Sequence, residues 1–151
     1  MRKILVSSCL LGDPVRYDGQ AKPCLDKRFL QWKEESRMIP ICPEVFGGLP
    51  TPRAPSQRLG DEIIGSTGEN VTREFTLGAL EAVRLAEENE VAFAIMKSKS
   101  PSCGSKMIYD GSFTGRLIQG EGLAVEYLRK AGYIVFDENE LDQAELLLAE
   151  E

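Results

Sequence analysis

No histidine occurs anywhere in the 151 residues of this chain. That absence removes the Ser-His-Asp triad, the Cys-His pair and the histidine-rich zinc sites, each of which needs an imidazole. Any bound metal has to sit on sulfur or oxygen. Long apolar runs are missing too: no stretch reaches the roughly 18 residues of a membrane-crossing helix. The run from Ile4 to Val6 is also too short for the core of a signal peptide. Positive charge is in deficit, with 18 Lys and Arg against 24 Asp and Glu and a net charge of −6. A protein that neutralises a phosphate backbone normally shows the opposite balance. The expectation is a cytoplasmic protein that binds neither a membrane nor a nucleic acid polymer. In that compartment thiols stay reduced, so the four cysteines read as ligands or nucleophiles rather than disulfides.

At roughly 100–200 residues per domain, the length predicts a single α/β domain over residues 1–151. Short β-rich runs alternate with longer helical patterns. Lys3–Ser7, Met38–Ile41, Val91–Met96 and Tyr133–Phe136 read as strands, the second weakened by Pro40, which points to an edge position or a strand end. Helices are expected over Asp26–Ser36, Thr72–Glu90 with Thr72 as N-cap, Gly120–Lys130 closed by Gly132, and Glu140–Glu150 with Asn139 as N-cap. Parallel neighbours need long crossovers, so this order predicts a three-layer, doubly wound, Rossmann-like sheet of about four mostly parallel strands. Two stretches fall outside it. The Gly- and Pro-rich segment from Pro43 to Asn70 suggests a small hairpin around Ser66–Gly68, and Asp110-Gly111 is a hairpin-turn dipeptide. Neither G-x-G-x-x-G after the first strand nor a Walker motif occurs, so a nucleotide cofactor has no support.

Three cysteines share a position in this pattern. Cys9 lies just beyond the first strand, Cys42 follows the second, and Cys103 comes a few residues after the third. Ligands of open parallel sheets bind beyond the carboxyl ends of the strands, so residues 33 and 61 positions apart can meet there. Inert packing is the usual fate of a lone free cysteine, and it remains the reading for Cys24, which has no strand leading into it. Three converging thiolates select zinc, Cu(I) or an iron-sulfur cluster. A structural zinc site would recruit Cys24 as its fourth ligand, whereas a three-cysteine cubane leaves one iron open. A third alternative needs no metal and makes Cys103 a redox or nucleophilic thiol.

SSCLLG at residues 7–12, VRYDG at 15–19, CPEVFGGLPTPRAP at 42–55 and KSKSPSCG at 97–104 together carry a resemblance. The chain resembles the family of small bacterial proteins that includes the thiouracil desulfidases, from Cys9 to the helix after Gly120. The resemblance implies an enzyme with a 4Fe-4S cluster held by Cys9, Cys42 and Cys103, whose fourth iron takes the sulfur of a small thiolated substrate such as 2-thiouracil. It also implies a catalytic carboxylate at Glu44 and a catalytic serine at Ser100. Glu44 is then placed as general base for water, and Ser100 to relay or donate a proton. The polar group Arg16, Asp18 and Lys22 lies close to Cys9 in sequence, and Arg16 and Asp18 are candidate substrate contacts, although an Arg-Asp surface pair explains them as well. A non-catalytic metal or iron-sulfur sensor is the rival reading of the same residues.

Overall fold

A computed structural model describes residues 1–150. Strand β1 (Ile4–Ser7) passes through a single 3-10 turn (Ser8–Leu11) and a loop into helix α1 (Lys27–Glu34). β2 (Met38–Ile41) leads directly into the short α2 (Pro43–Phe46). The hairpin β3 (Ser56–Leu59) and β4 (Glu62–Gly65) precedes the long α3 (Thr72–Glu88). After β5 (Phe93–Ile95) comes a second ribbon, β6 (Met107–Tyr109) and β7 (Leu117–Gln119). The chain ends with α4 (Leu123–Lys130), β8 (Val135–Phe136) and α5 (Leu141–Leu148).

The central sheet has the order β2-β1-β5-β8 with every pair parallel. Pro40 pairs with Val6 in β2 at the sheet edge, where a missing N–H is tolerated. Alternation along the strands builds the layers. Ile4, Val6, Phe93 and Ile95 face α1 and α5, packing with Phe29, Trp32, Leu141 and Ala144. Leu5, Ala94 and Met96 face the other way, onto Phe75, Ala79 and Ala82 of α3 and Ala124, Val125 and Leu128 of α4. Ile4, Leu5, Val6, Phe75 and Phe93 are fully buried, and each such side chain contributes roughly 1.5–3 kcal/mol of transfer free energy. This is the expected three-layer α/β fold.

Local signals account for most boundaries. The Asp26 carboxylate accepts the Arg28 N–H at 2.9 Å and caps α1. Gly132, in the left-handed region at φ 97°, donates to the Arg129 carbonyl while Tyr133 donates to that of Leu128, the Schellman ending of α4. Elsewhere the expectation needs correction. Thr72 is the first residue of α3 rather than its cap. Its hydroxyl accepts the Ile63 N–H, and the Asn70 side chain accepts the Thr72 N–H instead. Asn139 does not cap α5 either: its N–H goes to Asp137, and Glu140 occupies the cap position. The main hairpin turns between Leu59 and Glu62, and the tight turn at Ser66–Gly68 closes only the single bridge Ile64–Asn70. Asp110-Gly111 begins a loop between β6 and β7 that closes with Asp110 N–H on the Arg116 carbonyl, not a two-residue turn. Helix α2 was not expected in a Gly- and Pro-rich segment. Among the described residues, no helix is long and apolar enough to cross a membrane.

Two close approaches lock the elements that leave the strand ends. A Cβ on Gly78 of α3 would lie 2.0 Å from the Pro43 carbonyl oxygen, so α2 rests directly on α3. At Gly122 a Cβ would lie 2.4 Å from the carbonyl carbon of Ser102 and 2.8 Å from the Cys103 nitrogen. Here the N–H groups of Leu123 and Ala124 donate to the carbonyls of Pro101 and Ser102, and Gly122 N–H to that of Gly104. Backbone oxygens thus take the place of a side-chain cap. Gly122→Ala is therefore expected to displace the 101–104 loop. The expected cost is about 1–3 kcal/mol, the usual range for overpacking, read as a lowered urea midpoint at unchanged slope.

Candidate functional site

The order β2-β1-β5 means that the chain leaves β1 for β2 on one side and later returns to β5 on the other. Such a reversal opens a crevice beyond the carboxyl end of the middle strand. A cavity of about 360 Å³ lies there, lined by Ser7–Cys9, Ile41–Glu44 and Lys97–Cys103 from the three strand ends. The β3–β4 hairpin adds Ser56 and Gln57, and Tyr17 and Tyr109 bring two aromatic rings. The volume sits near the lower end of small-molecule sites, roughly 300–1,000 Å³. A groove of about 550 Å³ between α3 and α4, lined by Leu80, Glu87 and Tyr127 among others, contains no cysteine.

Cys9, Cys42 and Cys103 all line the crevice cavity. Cys24 does not: it is half-buried against the α1/α5 side of the sheet, and its N–H is tied to the Leu10 carbonyl. All four are free thiols. Burial pushes the Cys103 thiol up to about 12, with charge on Cys9 and Cys42 adding to the effect and the neighbouring Ser102 and Ser7 hydroxyls opposing it. Burial likewise raises Cys9 to about 11, joined by Cys42 and opposed by Lys97 and Arg16. Cys42 is also raised, mainly by burial, with the Glu44 charge contributing. Reactive cysteines occupy exposed, electropositive surroundings that lower the pKa. Cys103, 5% exposed, has the opposite, which speaks against a nucleophilic thiol.

The donor set suits a cation that replaces the three protons. With three sulfurs and no imidazole on the chain, that cation is a soft one. Among the described residues, no three Cys, Asp or Glu side chains close on a single metal ion. Around one tetrahedral zinc, sulfurs at 2.3 Å from the metal stand about 4 Å apart.

Glu44 sits in the first turn of α2, where Pro43 occupies the first helical position and Cys42 the N-cap without using its side chain. This leaves the Cys42 sulfur free of capping, 3.9 Å from the Val15 carbonyl oxygen. The Glu44 carboxylate is held at both ends: Arg53 Nε and Nη2 each lie 3.1 Å from Oε1, and the Ser102 hydroxyl donates to Oε2 at 3.1 Å. The Arg53 side chain is 6% exposed. It also donates to the carbonyls of Val15 and Pro50, joining three segments around the cavity. Ser100 Oγ accepts the N–H groups of Ser102 at 3.1 Å and Cys103 at 3.0 Å, which bends the chain so that both Ser100 and Cys103 face the cavity.

Arg16 reaches the cavity wall and Asp18 does not. They form an ion pair at 3.8 Å, and Asp18 also accepts the Gln20 N–H. Three contributors were absent from the sequence reading. Arg53 had a signal, since it is the only charge between Val45 and Ser56. Ser102 had none apart from its place between two candidate residues. Lys97 lines the wall and pairs with Glu138 at 2.8 Å, a carboxylate that also accepts the Ser98 N–H. Burial works against the charged form of Glu138, and these hydrogen bonds outweigh it, holding its pKa below the ordinary value.

Comparison with known proteins gives concordant findings. Residues 4–140 match the family model for 2-thiouracil desulfurase. The uncharacterized protein YbbK of Bacillus subtilis (strain 168) is 38% identical over 149 residues, which is 92% of this chain and 97% of the relative. A solved structure of the 4Fe-4S-dependent thiouracil desulfidase TudS superposes with a TM-score of 0.97 at 45% identity, covering 99% of each chain.

Proposed function

The chain belongs to the 2-thiouracil desulfurase family, and from that premise we propose that it hydrolyses the C=S group of a thiolated pyrimidine base to C=O and hydrogen sulfide, using a 4Fe-4S cluster on Cys9, Cys42 and Cys103. The observation that carries this reading is one cavity lined by three buried thiols and by a carboxylate oriented from both sides. The structural neighbour is a 4Fe-4S-dependent desulfidase, and the all-sulfur donor set of this cavity fits such a cluster.

When bound, the cluster supplies one iron without a protein ligand, a soft Lewis acid for the substrate sulfur and the charge that builds on it. The chain's own residues do the rest. Glu44 keeps lone pairs free beyond those used by Arg53 and Ser102, and it takes a proton from the attacking water. Ser100 delivers a proton as the C–S bond breaks. Arg16 contacts the substrate from the cavity wall, and Asp18 acts by orienting it. Tyr17 and Tyr109 offer ring faces for a planar base. Water contributes its oxygen to carbon and its two protons to sulfide, so no electrons are exchanged overall. Thiolate ligands need a reducing compartment, which makes the cytoplasm the proposed location.

Anaerobically reconstituted protein is expected to be brown, with about four irons and four acid-labile sulfides per chain. Incubated with 2-thiouracil, it should yield uracil and sulfide in equal amounts. A colourless protein holding one zinc overturns the cofactor, and a loaded protein that turns over no thiolated base overturns the enzyme in favour of a sensor.

A further inference from the structure

We propose that Ser102 is a positioning residue that carries a proton between Glu44 and Ser100, so that the base and the acid of the reaction are the two ends of one hydrogen-bonded chain. The inference rests on the desulfidase reading of the site and adds to it a residue that neither the sequence reading nor the family resemblance singled out.

Ser102 is 1% exposed, and its hydroxyl has three polar neighbours. Ser100 Oγ lies at 3.0 Å, Glu44 Oε2 at 3.1 Å and Cys103 Sγ at 3.5 Å. The direction of each hydrogen bond follows from the inventory of donors and acceptors. An ionised carboxylate only accepts and lies nearer at 3.1 Å than the Cys103 sulfur at 3.5 Å, so the Ser102 hydrogen points to Glu44. With the single Ser102 hydroxyl hydrogen committed to Glu44, Ser100 Oγ receives none from that hydroxyl and accepts the backbone N–H groups of Ser102 and Cys103. Its own hydrogen is therefore donated, and Ser102 Oγ is the acceptor within reach. The resting chain runs Ser100 O–H to Ser102 O–H to Glu44 carboxylate.

This arrangement puts the two proton transfers in order. While Glu44 is ionised, the Ser100 hydrogen is engaged by Ser102 and is not presented to the cavity. Once Glu44 has taken a proton from water, as the water oxygen bonds to the thiocarbonyl carbon, the carboxyl group becomes a donor. Both hydroxyls then turn: Ser100 swings its hydrogen from Ser102 toward the departing sulfur and releases one backbone N–H, so that its oxygen accepts from Ser102. As the C–S bond breaks, the Glu44 proton passes to Ser102 Oγ, the Ser102 proton to Ser100 Oγ and the Ser100 proton to sulfur. Glu44 ends ionised, both serines end neutral, and one proton has moved from water to sulfur without entering the bulk. Burial of Ser102 keeps solvent from short-circuiting the chain, and Arg53 on the other oxygen keeps Oε2 turned toward it.

The test is Ser102→Ala in the reconstituted, full-length protein, with Ser102→Thr as the variant that restores a hydroxyl. Ser102→Ala is expected to lower kcat about 100-fold, within the range of general acid-base contributions, with KM within about twofold of wild type and iron and sulfide per chain unchanged. Ser102→Thr is expected to recover at least about tenfold of that loss. The solvent deuterium effect on kcat should follow a curved dependence on deuterium fraction in wild type, from several protons in flight, and a straight one in Ser102→Ala. An active wild type with a Ser102→Ala variant of similar kcat overturns the relay alone. So does a variant that loses iron, because the residue then serves Cys103 rather than proton transfer. Wild-type protein that loads its cluster but desulfurises no thiolated base overturns the functional reading, and the relay with it.

Discussion

Cys9→Ser, Cys42→Ser and Cys103→Ser proteins, each reconstituted anaerobically, are expected to hold less than about one iron per chain where wild type holds about four, and to lose turnover entirely. Cys24→Ser is expected to load and act as wild type. The contrast follows from position. The first three line the cavity and interact electrostatically with one another, whereas Cys24 packs against the α1/α5 side of the sheet. Serine differs from cysteine by one atom, but its oxygen is a hard donor that stays protonated at neutral pH, so it does not replace a thiolate toward iron. Folding should survive, because the three residues sit beyond the strand ends, in a 3-10 turn, at a helix N-cap and in a loop, and make only part of the core contacts. Iron and sulfide analysis beside a urea unfolding curve measures both. A Cys24→Ser protein that lost its iron would show a four-cysteine centre and close the position reserved for substrate sulfur.

Glu44→Gln is expected to lower kcat by roughly 10²–10⁴-fold, the span assigned to a positioned general base, while iron and sulfide per chain stay at the wild-type level. Gln keeps the shape of the side chain and an oxygen for Arg53, so the change isolates loss of the base. It also leaves the Arg53 guanidinium buried without its anion, and removing one partner of a buried pair costs about 3–5 kcal/mol when nothing replaces it. Arg53 keeps bonds to the Val15 and Pro50 carbonyls and to the Thr51 hydroxyl, so the loss should fall below that range. Glu44→Asp separates the two effects. It keeps the charge for Arg53 but draws the carboxylate back by one methylene, and a misplacement on the order of 1 Å costs about 100-fold in rate. Stability is then expected near wild type with activity still low. Full activity in Glu44→Gln, with the cluster intact, would move the base elsewhere in the cavity.

Much of the scaffold was legible because its signals are local. Ile4–Ser7 and Phe93–Ile95 are short, β-rich and bounded by polar turns, and their alternation sends Ile4 and Val6 to one helical layer and Leu5 to the other. Pro40 pointed to an edge position or a strand end, and β2 is the edge strand, where a residue without an N–H is tolerated. Asp26 and Gly132 marked helix ends through chemistry contained within a few residues. The errors fall where a second segment decided the outcome. Thr72 resembles an N-cap, yet its hydroxyl is taken by the Ile63 N–H from β4. The turn dipeptide Asp110-Gly111 opens a longer loop because Gln57 Oε1 of β3 accepts the N–H groups of both Gly111 and Phe113. Pro43–Phe46 forms a helix in spite of its Gly- and Pro-rich surroundings because Gly78 lets it lie on α3.

The same division runs through the site. From the sequence alone came a choice of metal donors narrowed to sulfur and oxygen by the missing histidine, and the placement of Cys9, Cys42 and Cys103 after successive strands. Those are properties of composition and of short-range order. Only the tertiary structure decided that Arg53 reaches Glu44, that Lys97 meets Glu138, and that Ser102 joins Glu44 to Ser100 across 58 residues of chain. It also decided that Cys24 stays apart. Such meetings depend on how far α2 and α4 settle onto their neighbours, and that approach needs Gly78 and Gly122, where a Cβ would lie 2.0 Å from the Pro43 carbonyl oxygen and 2.4 Å from the Ser102 carbonyl carbon. Short-range preferences determine which elements form, whereas close packing between elements distant in sequence determines which polar atoms meet at hydrogen-bonding distance.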